Sequence, residues 1–333
     1  MDRLEQLRAW IEARRPGTAF DLAPASADAS FRRYFRVRYG DGATCIAMDA
    51  PPAHEDCRPF VHVAGLLAEA GLNAPRIEAQ DLAQGFLLLS DLGHTTYLAA
   101  MNADAAVASS LFADATTALV RWQKASRPGA LPPYDAALLR RELDLFPEWY
   151  VSRHLGVALS SEQAAILERT FALVIAANLA QPQVFVHRDY MPRNLMVSDP
   201  NPGILDFQDA VYGPITYDVA SLFRDAFISW DEESVLDWTI RYWEKARLAG
   251  LPVAEDFAAF YRDFEWMGLQ RHLKVLGIFA RLKYRDGKSG YLEDTPRFVA
   301  YVRTVAERYA ALHPLLLLFD EIEGRSTRVG YTF

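Results

Sequence analysis

Three oxygen-bearing side chains, Asp189, Asn194 and Asp206, are spaced so that they could serve one reaction. Val184–Val186 reads as a short apolar strand delivering the loop His187-Arg188-Asp189-Tyr190-Met191-Pro192-Arg193-Asn194. Leu195–Val197 reads as another strand, Asp199-Pro200-Asn201-Pro202-Gly203 as a strong turn, and Ile204-Leu205 as the returning strand. If the two arms pair as a hairpin, the start of the first lies beside the end of the second. Asn194 then sits next to Asp206, and the preceding loop brings Asp189 close by. Oxygen ligands of this kind suit Mg²⁺, a hard cation that keeps several waters and leans on substrate phosphates. Asn194 and Asp206 are the natural ligands, and Asp189 can face a substrate hydroxyl and accept its proton. Phosphoryl transfer needs this division of labour. The alternative is that all three are loop and turn residues with local hydrogen bonds.

The elements that must hold these residues can be read along the chain. Residues 2–14 have Leu4, Leu7 and Ile11 on one helical face. A small-residue stretch, Ala23–Ser30, leads into a strand in which Phe35, Val37 and Tyr39 alternate with Arg36 and Arg38. Gly40-Asp41-Gly42 signals a hairpin turn into a strand over about 44–48, and a helix over about 55–70 stops at Gly71. Strand-like segments follow at 76–79 and 86–89, and Asp91-Leu92-Gly93 reads as a joint. Residues from about 92 onward are mostly helical; a helix over about 162–179 has Ser160 and Gln163 placed for a capping box. The expected organisation is α+β, with a small β-rich N-lobe over 1–91 and a larger helical C-lobe over 92–333.

Composition narrows the function. Of 333 residues, 51% are hydrophobic and 23% charged, and the formal net charge is −8, which argues against a nucleic-acid surface. The longest apolar runs fall far below the roughly 18 residues a membrane span needs, and the first residues carry acids where a secretory peptide would be apolar. Cys45 and Cys57 fit no zinc or redox motif and are expected to be inert. The expectation is a cytoplasmic enzyme without membrane or nucleic-acid partners, with a monomer as the default.

His187-Arg188-Asp189, with Asn194 five positions after the aspartate, matches the catalytic loop of kinases, and Asp206-Phe207 matches their magnesium loop. Gln208 stands where protein kinases carry glycine, no Ala-Pro-Glu motif follows, and Tyr217-Asp218-Val219-Ala220 comes soon after. This layout resembles the aminoglycoside phosphotransferase superfamily of small-molecule kinases. The resemblance implies a two-lobed protein-kinase-like fold, ATP and Mg²⁺, and Asp189 as catalytic residue. It makes His187 a structural histidine, and Asp218 a helix cap or an anchor of the catalytic loop. It puts the adenine against backbone groups near Leu89, Ser90, Asp91 and Leu92.

Two departures stand out. The Ala23–Ser30 stretch lies where kinases place a glycine-rich phosphate loop, yet holds no glycine; Ser26, Asp28 and Ser30 could line the phosphates instead, or the stretch is an ordinary hairpin turn. Near Met48 the usual strand lysine is missing, and Phe60 aligns with its glutamate partner, with Glu55 nearby. Arg32 or Arg33 is then the candidate cation for the phosphates; otherwise both are surface charges.

Within the superfamily, the segments 30–36, 48–52, 55–60, 141–150 and 270–282 look most like those of bacterial anomeric kinases for N-acetylmuramate and N-acetylglucosamine. That resemblance implies a sugar 1-phosphate product in cell-wall recycling. Glu142, Asp144, Glu148, Trp149 and Tyr150 are the candidate sugar contacts, and Arg271 and Lys274, three apart on a helix, could meet a lactyl carboxylate. An aminoglycoside or other small-alcohol phosphotransferase, and a non-catalytic pseudokinase, are the alternatives.

Overall fold

The alternating segments form strands in the computed structural model, which describes residues 2–26 and 31–324. The strands are β1 (Phe20–Ser26), β2 (Arg33–Tyr39), β3 (Thr44–Asp49), β4 (Ile77–Asp81), β5 (Phe86–Ser90), β6 (Gln183–Val186), β7 (Leu195–Met196), β8 (Gly203–Ile204) and β9 (Val211–Pro214). The helices used below are α1 (Arg3–Glu12), α2 (Arg58–Glu69), α3 (Tyr97–Ala103), α4 (Ala108–Lys124), α5 (Ala136–Leu143), α6 (Ser161–Leu179), α7 (Tyr217–Phe223), α8 (Glu232–Leu248) and α9 (Phe257–Tyr284), followed by α10 (Thr295–Arg308) and α11 (His313–Ile322). None of the described helices is long and apolar enough to cross a membrane.

The residues divide into two compact units, Met1–Ala125 with Pro192–Ala210, and Ser126–Met191 with Val211–Phe333. A single cut at 91 does not separate them: the first unit runs on through α3 and α4 and takes back the β7–β8 hairpin.

In the first unit, β1 to β5 form an antiparallel sheet in the order β1-β2-β3-β5-β4. Period-two burial sends Val37 and Tyr39 inward, where they meet Leu7, Trp10 and Ile11 of α1 together with Cys45, Ala47, Phe86 and Leu88. Each fully buried Leu or Ile there contributes roughly 1.5–3 kcal/mol. Arg3 of α1 donates to the buried carboxylate of Asp49 at 2.7 Å, which staples the helix to β3. The hairpin β7–β8 pairs Leu195 with Ile204 and Met196 with Gly203.

The second unit is organised around α9. Its residues Leu269, Leu273, Leu276, Phe279 and Ala280 pack with Phe146, Tyr150, Phe171, Val174, Phe298 and Phe319. A Cβ on Gly277 would lie 2.4 Å from the backbone of Leu145, so glycine lets α9 approach the segment leading into a π-helix at Phe146–His154. Two strands, β6 and β9, pair antiparallel beside this core. The capping box at Ser160 and Gln163 is formed at the start of α6.

Two local expectations differ from the structure, and two elements go unread in the sequence. Ala23–Ser26 belongs to β1 rather than to a loop, although its small residues give little strand signal. The helix read from residue 55 begins at Arg58. Strand β9 and the π-helix had no signal in local periodicity.

Candidate active site

In the second unit, β6 buries Val184, Phe185 and Val186 and delivers His187 and Asp189. The loop is fixed by Asp218, which lies fully buried in the first turn of α7. Its Oδ2 accepts from the His187 amide at 2.7 Å and its Oδ1 from the Arg188 amide at 3.0 Å. Burial pushes the Asp218 carboxyl up to about 7, against the opposing pull of those two N–H groups. Arg188 sits at φ 75°, a left-handed conformation a non-glycine residue holds only when its surroundings impose it. The His187 ring is buried, and its Nδ1 accepts from the Asp189 amide at 3.3 Å.

The residues proposed for the sugar do not form one cluster. Glu142 is buried at the end of α5, where Arg188 Nη2 donates to it at 2.6 Å, Lys274 Nζ pairs with it at 2.8 Å and Gln270 Nε2 donates at 3.0 Å, along with the Tyr134 hydroxyl. Lys274 also donates to the Tyr217 hydroxyl at 3.0 Å. Two side chains assigned to the substrate thus neutralise each other. Asp144 turns to Arg140 at 2.7 Å, and Arg140 bridges onward to Glu168. Glu148 is exposed, Trp149 packs on the core, and Tyr150 is a buried core residue stacked on Phe146. Helical spacing puts Arg271 and Lys274 near one another, but what faces them is set by tertiary packing. Arg271 is 2% exposed, and its Nη1 has no partner among the described residues; the carboxylates of Asp218 and Asp225 lie within its electrostatic reach.

In the first unit, a 3₁₀ turn, Pro192–Asn194, leads into β7. The amide N–H of Leu205 donates to the Asn194 carbonyl at 2.9 Å, closing the open end of the β7–β8 hairpin. The Asn194 Nδ2 lies 3.3 Å from Asp206 Oδ2, as the turn spacing predicts. Asp206 is at φ 60°, another left-handed non-glycine position. Gln208 donates to Asp206 Oδ1 at 2.9 Å and keeps a buried Oε1 with no partner among the described residues. No group of three or more His, Cys, Asp or Glu among the described residues could hold a metal by itself. An Asn and an Asp oxygen, with an orphaned amide oxygen beside them, fit Mg²⁺, which completes its shell with waters and phosphates. Gln208 stands where this loop departs from the protein-kinase glycine, and that departure is the one sequence signal that points to its contact with Asp206.

The structure separates the two candidate arginines. Arg32 lies 3.9 Å from both Asp206 and Glu55, and its side chain is only 12% exposed. Arg33 turns to Asp49, with its Nε donating at 3.0 Å, so it braces β3 instead. Glu55 also accepts from the Phe31 amide at 3.1 Å. Phe60 meets the buried Phe207 ring at 4.7 Å, which accounts for an apolar residue at the aligned glutamate position. Met48 is buried in β3.

Of the phosphate-loop candidates, Ser26 ends β1, while Asp28 and Ser30 lie outside the described residues. Leu89 and Ser90 belong to β5, and the Ser90 hydroxyl accepts from the Arg76 amide at 2.8 Å. Asp91 is clasped by Arg36 at 2.6 and 3.0 Å, and Leu92 follows it. Arg36 also donates to the Gly93 carbonyl at 2.6 Å, so the whole joint is pinned to β2.

A sheet-bearing unit that holds an Asn–Asp pair, and a helical unit that presents an aspartate from an anchored loop, define a protein-kinase-like phosphotransferase fold. The model of the phosphotransferase enzyme family (APH) matches residues 21–257, and the chain belongs to that family. It is similar to an N-acetylmuramate/N-acetylglucosamine kinase of Pseudomonas aeruginosa, 54% identical over 326 residues, covering 94% of this chain and 95% of that protein. A protein of the same name from Neisseria meningitidis serogroup B is 50% identical over 336 residues, covering 100% of both chains. Among solved structures, the choline kinase LicA from Streptococcus pneumoniae has a TM-score of 0.66 at 11% identity, covering 91% of this chain and 100% of that one. The gentamicin complex of APH(2")-IIa has a TM-score of 0.61 at 12% identity, covering 94% and 98%. At such identities these structures show the shared fold alone.

Proposed function

We propose that the chain transfers the γ-phosphoryl group of ATP to the anomeric hydroxyl of N-acetylmuramate or N-acetylglucosamine, giving the sugar 1-phosphate. The observation that carries this is the 50% identity to the Neisseria protein over the whole of both chains, with Asp189, Asn194 and Asp206 all present. In this mechanism Asp189 orients the hydroxyl and accepts its proton as the sugar oxygen bonds to phosphorus and the bond to the ADP oxygen breaks. Asn194 and Asp206 would hold Mg²⁺, which supplies charge neutralisation at the phosphates when bound. Asp206 would be aimed by Gln208. Arg32 takes the phosphate-binding role of the missing lysine, beside Glu55. The adenine lies against backbone groups near Leu89–Leu92, which Arg36 holds still.

For the sugar, Glu142 and Lys274 are already engaged with each other and with Arg188, and Tyr150 is stacked on Phe146. Arg271 is the cation left to meet a lactyl carboxylate. Cytoplasmic recycling of cell-wall sugars is the setting that the resemblance suggests. The test is phosphorus NMR on the products made from ATP with each sugar. A doublet from a phosphate on carbon 1 is expected; a phosphate on carbon 3 or 6, or turnover only with aminoglycosides, would overturn the substrate while leaving the phosphotransferase standing.

A further inference from the structure

We infer that Glu142 is a positioning residue for phosphoryl transfer, acting through Arg188 to set the conformation of the loop that carries Asp189. The inference rests on Asp189 being the proton acceptor. Its geometry is that of a fully saturated carboxylate. Arg188 Nη2 at 2.6 Å, Lys274 Nζ at 2.8 Å, Gln270 Nε2 at 3.0 Å and the Tyr134 hydroxyl all donate to the two Glu142 oxygens. Four donors use the roughly four lone-pair sites a carboxylate offers, so no capacity remains for a sugar hydroxyl. The donors come from three separate segments: the approach to α5, the catalytic loop and α9.

The burial of this group explains why it must be charged and paired. The Glu142 side chain is 6% exposed, a placement that by itself favours the neutral acid. The neighbouring Lys274 and Arg188 cations outweigh that penalty and hold the carboxyl down at about 2. Arg188 is thereby gripped at both ends. Asp218 takes its backbone amide at 3.0 Å, and Glu142 takes its guanidinium at 2.6 Å. Its φ of 75° persists because both grips are made. Asp189 is the next residue, so any relaxation of Arg188 swings the carboxylate that must meet the hydroxyl. A buried pair that served stability alone could be replaced by apolar side chains at little cost. A pair that aims a loop could not.

The experiment uses the full chain and compares Glu142→Gln, Lys274→Met, the double variant Glu142→Gln/Lys274→Met, and Glu142→Gln in an Asp189→Asn background. For Glu142→Gln, kcat should fall at least about tenfold while KM for ATP and for the sugar stays within about threefold, since an ångström-scale misplacement can cost on the order of 10²-fold. The double variant removes the lysine that would be left buried without its counter-charge, and so keeps a soluble protein in hand. Its kcat should stay low, because the Arg188 guanidinium still lacks the Glu142 carboxylate. In the Asp189→Asn background, Glu142→Gln should cost little more. Wild-type kcat in Glu142→Gln, or its recovery in the double variant, would overturn the inference, because Glu142 would then merely neutralise Lys274. So would equal losses of Glu142→Gln in both backgrounds. Full activity of Asp189→Asn alone would instead overturn the role of Asp189, a result separable from the others.

Discussion

The two units treat the polar groups of the candidate site in opposite ways, although the first also holds tight pairs away from it, Arg3 on Asp49 and Arg36 on Asp91. In the second, the groups around the catalytic loop are buried and bonded at close range: Asp218 to two backbone amides at 2.7 and 3.0 Å, and Glu142 to Arg188 at 2.6 Å and Lys274 at 2.8 Å. In the first, Asn194 and Asp206 meet at 3.3 Å, Arg32 stands 3.9 Å from Asp206 and Glu55, and the Asp206 side chain is 34% exposed. Tight internal pairing suits a group whose aim must not vary. Loose pairing suits groups whose partners arrive with the nucleotide, because ligand phosphates then need not displace strong internal bonds.

The sharpest way to break this contrast is at Asp206. Asp206→Ala should nearly abolish turnover and lower thermal stability only modestly, since its contacts to Asn194 and Arg32 are long and the Gln208 bond at 2.9 Å joins a residue only two positions away; a large drop in Tm would show it to be a structural anchor. Asp189→Asn should lower kcat by about 10²–10⁴-fold with little change in nucleotide affinity, measured by steady-state kinetics and equilibrium titration. Arg32→Ala should weaken ATP binding by about tenfold or more, as expected from the roughly 1.5–3 kcal/mol of a charge-assisted hydrogen bond. Arg33→Ala should leave nucleotide affinity unchanged and lower Tm slightly, because its partner is Asp49; the reverse pattern would swap the two assignments.

The smallest effect is a pH dependence. The folded chain binds the Asp218 proton more tightly than the unfolded chain, whose carboxyl titrates near about 3.9. That contribution is fully present below about pH 4 and is lost as pH rises through about 7. Glu142 has the opposite sign, its contribution being lost only as pH falls from about 4.5 through about 2. Between pH 4.5 and 8 the Tm gap between wild type and Asp218→Asn should therefore narrow as pH rises. A constant gap would mean that Asp218 stays ionised throughout.

What the sequence made legible was what local rules govern. The Pro- and Gly-rich turn before Gly203 set the hairpin, and with it the Asn194–Asp206 pair. The absent lysine near Met48 pointed to a nearby arginine, though only the packing of Arg33 on Asp49 chose between two neighbours. What stayed hidden depends on distant partners. Gln270 and Glu142 are 128 residues apart, and nothing in either neighbourhood announces the other. The resemblance and their own chemistry therefore make Glu142 and Lys274 look like sugar contacts. Strand β1 was hidden for a different reason: Ala, Pro and Ser carry no strand preference, and its pairing with β2 overrides that.

The division of the chain also bears on how the protein is made. The first unit spans Met1–Ala125 and is completed by Pro192–Ala210. A nascent polypeptide synthesised as far as Ala125 thus carries the sheet with Arg32 and Glu55 but neither Asn194 nor Asp206. At about 5–20 residues per second, seconds of translation separate that sheet from the hairpin that finishes it. A ribosome must pass Asp189, the proposed proton acceptor, before the unit that carries the proposed metal pair can close, so no truncated product ending before Asp189 can contain Asn194 or Asp206.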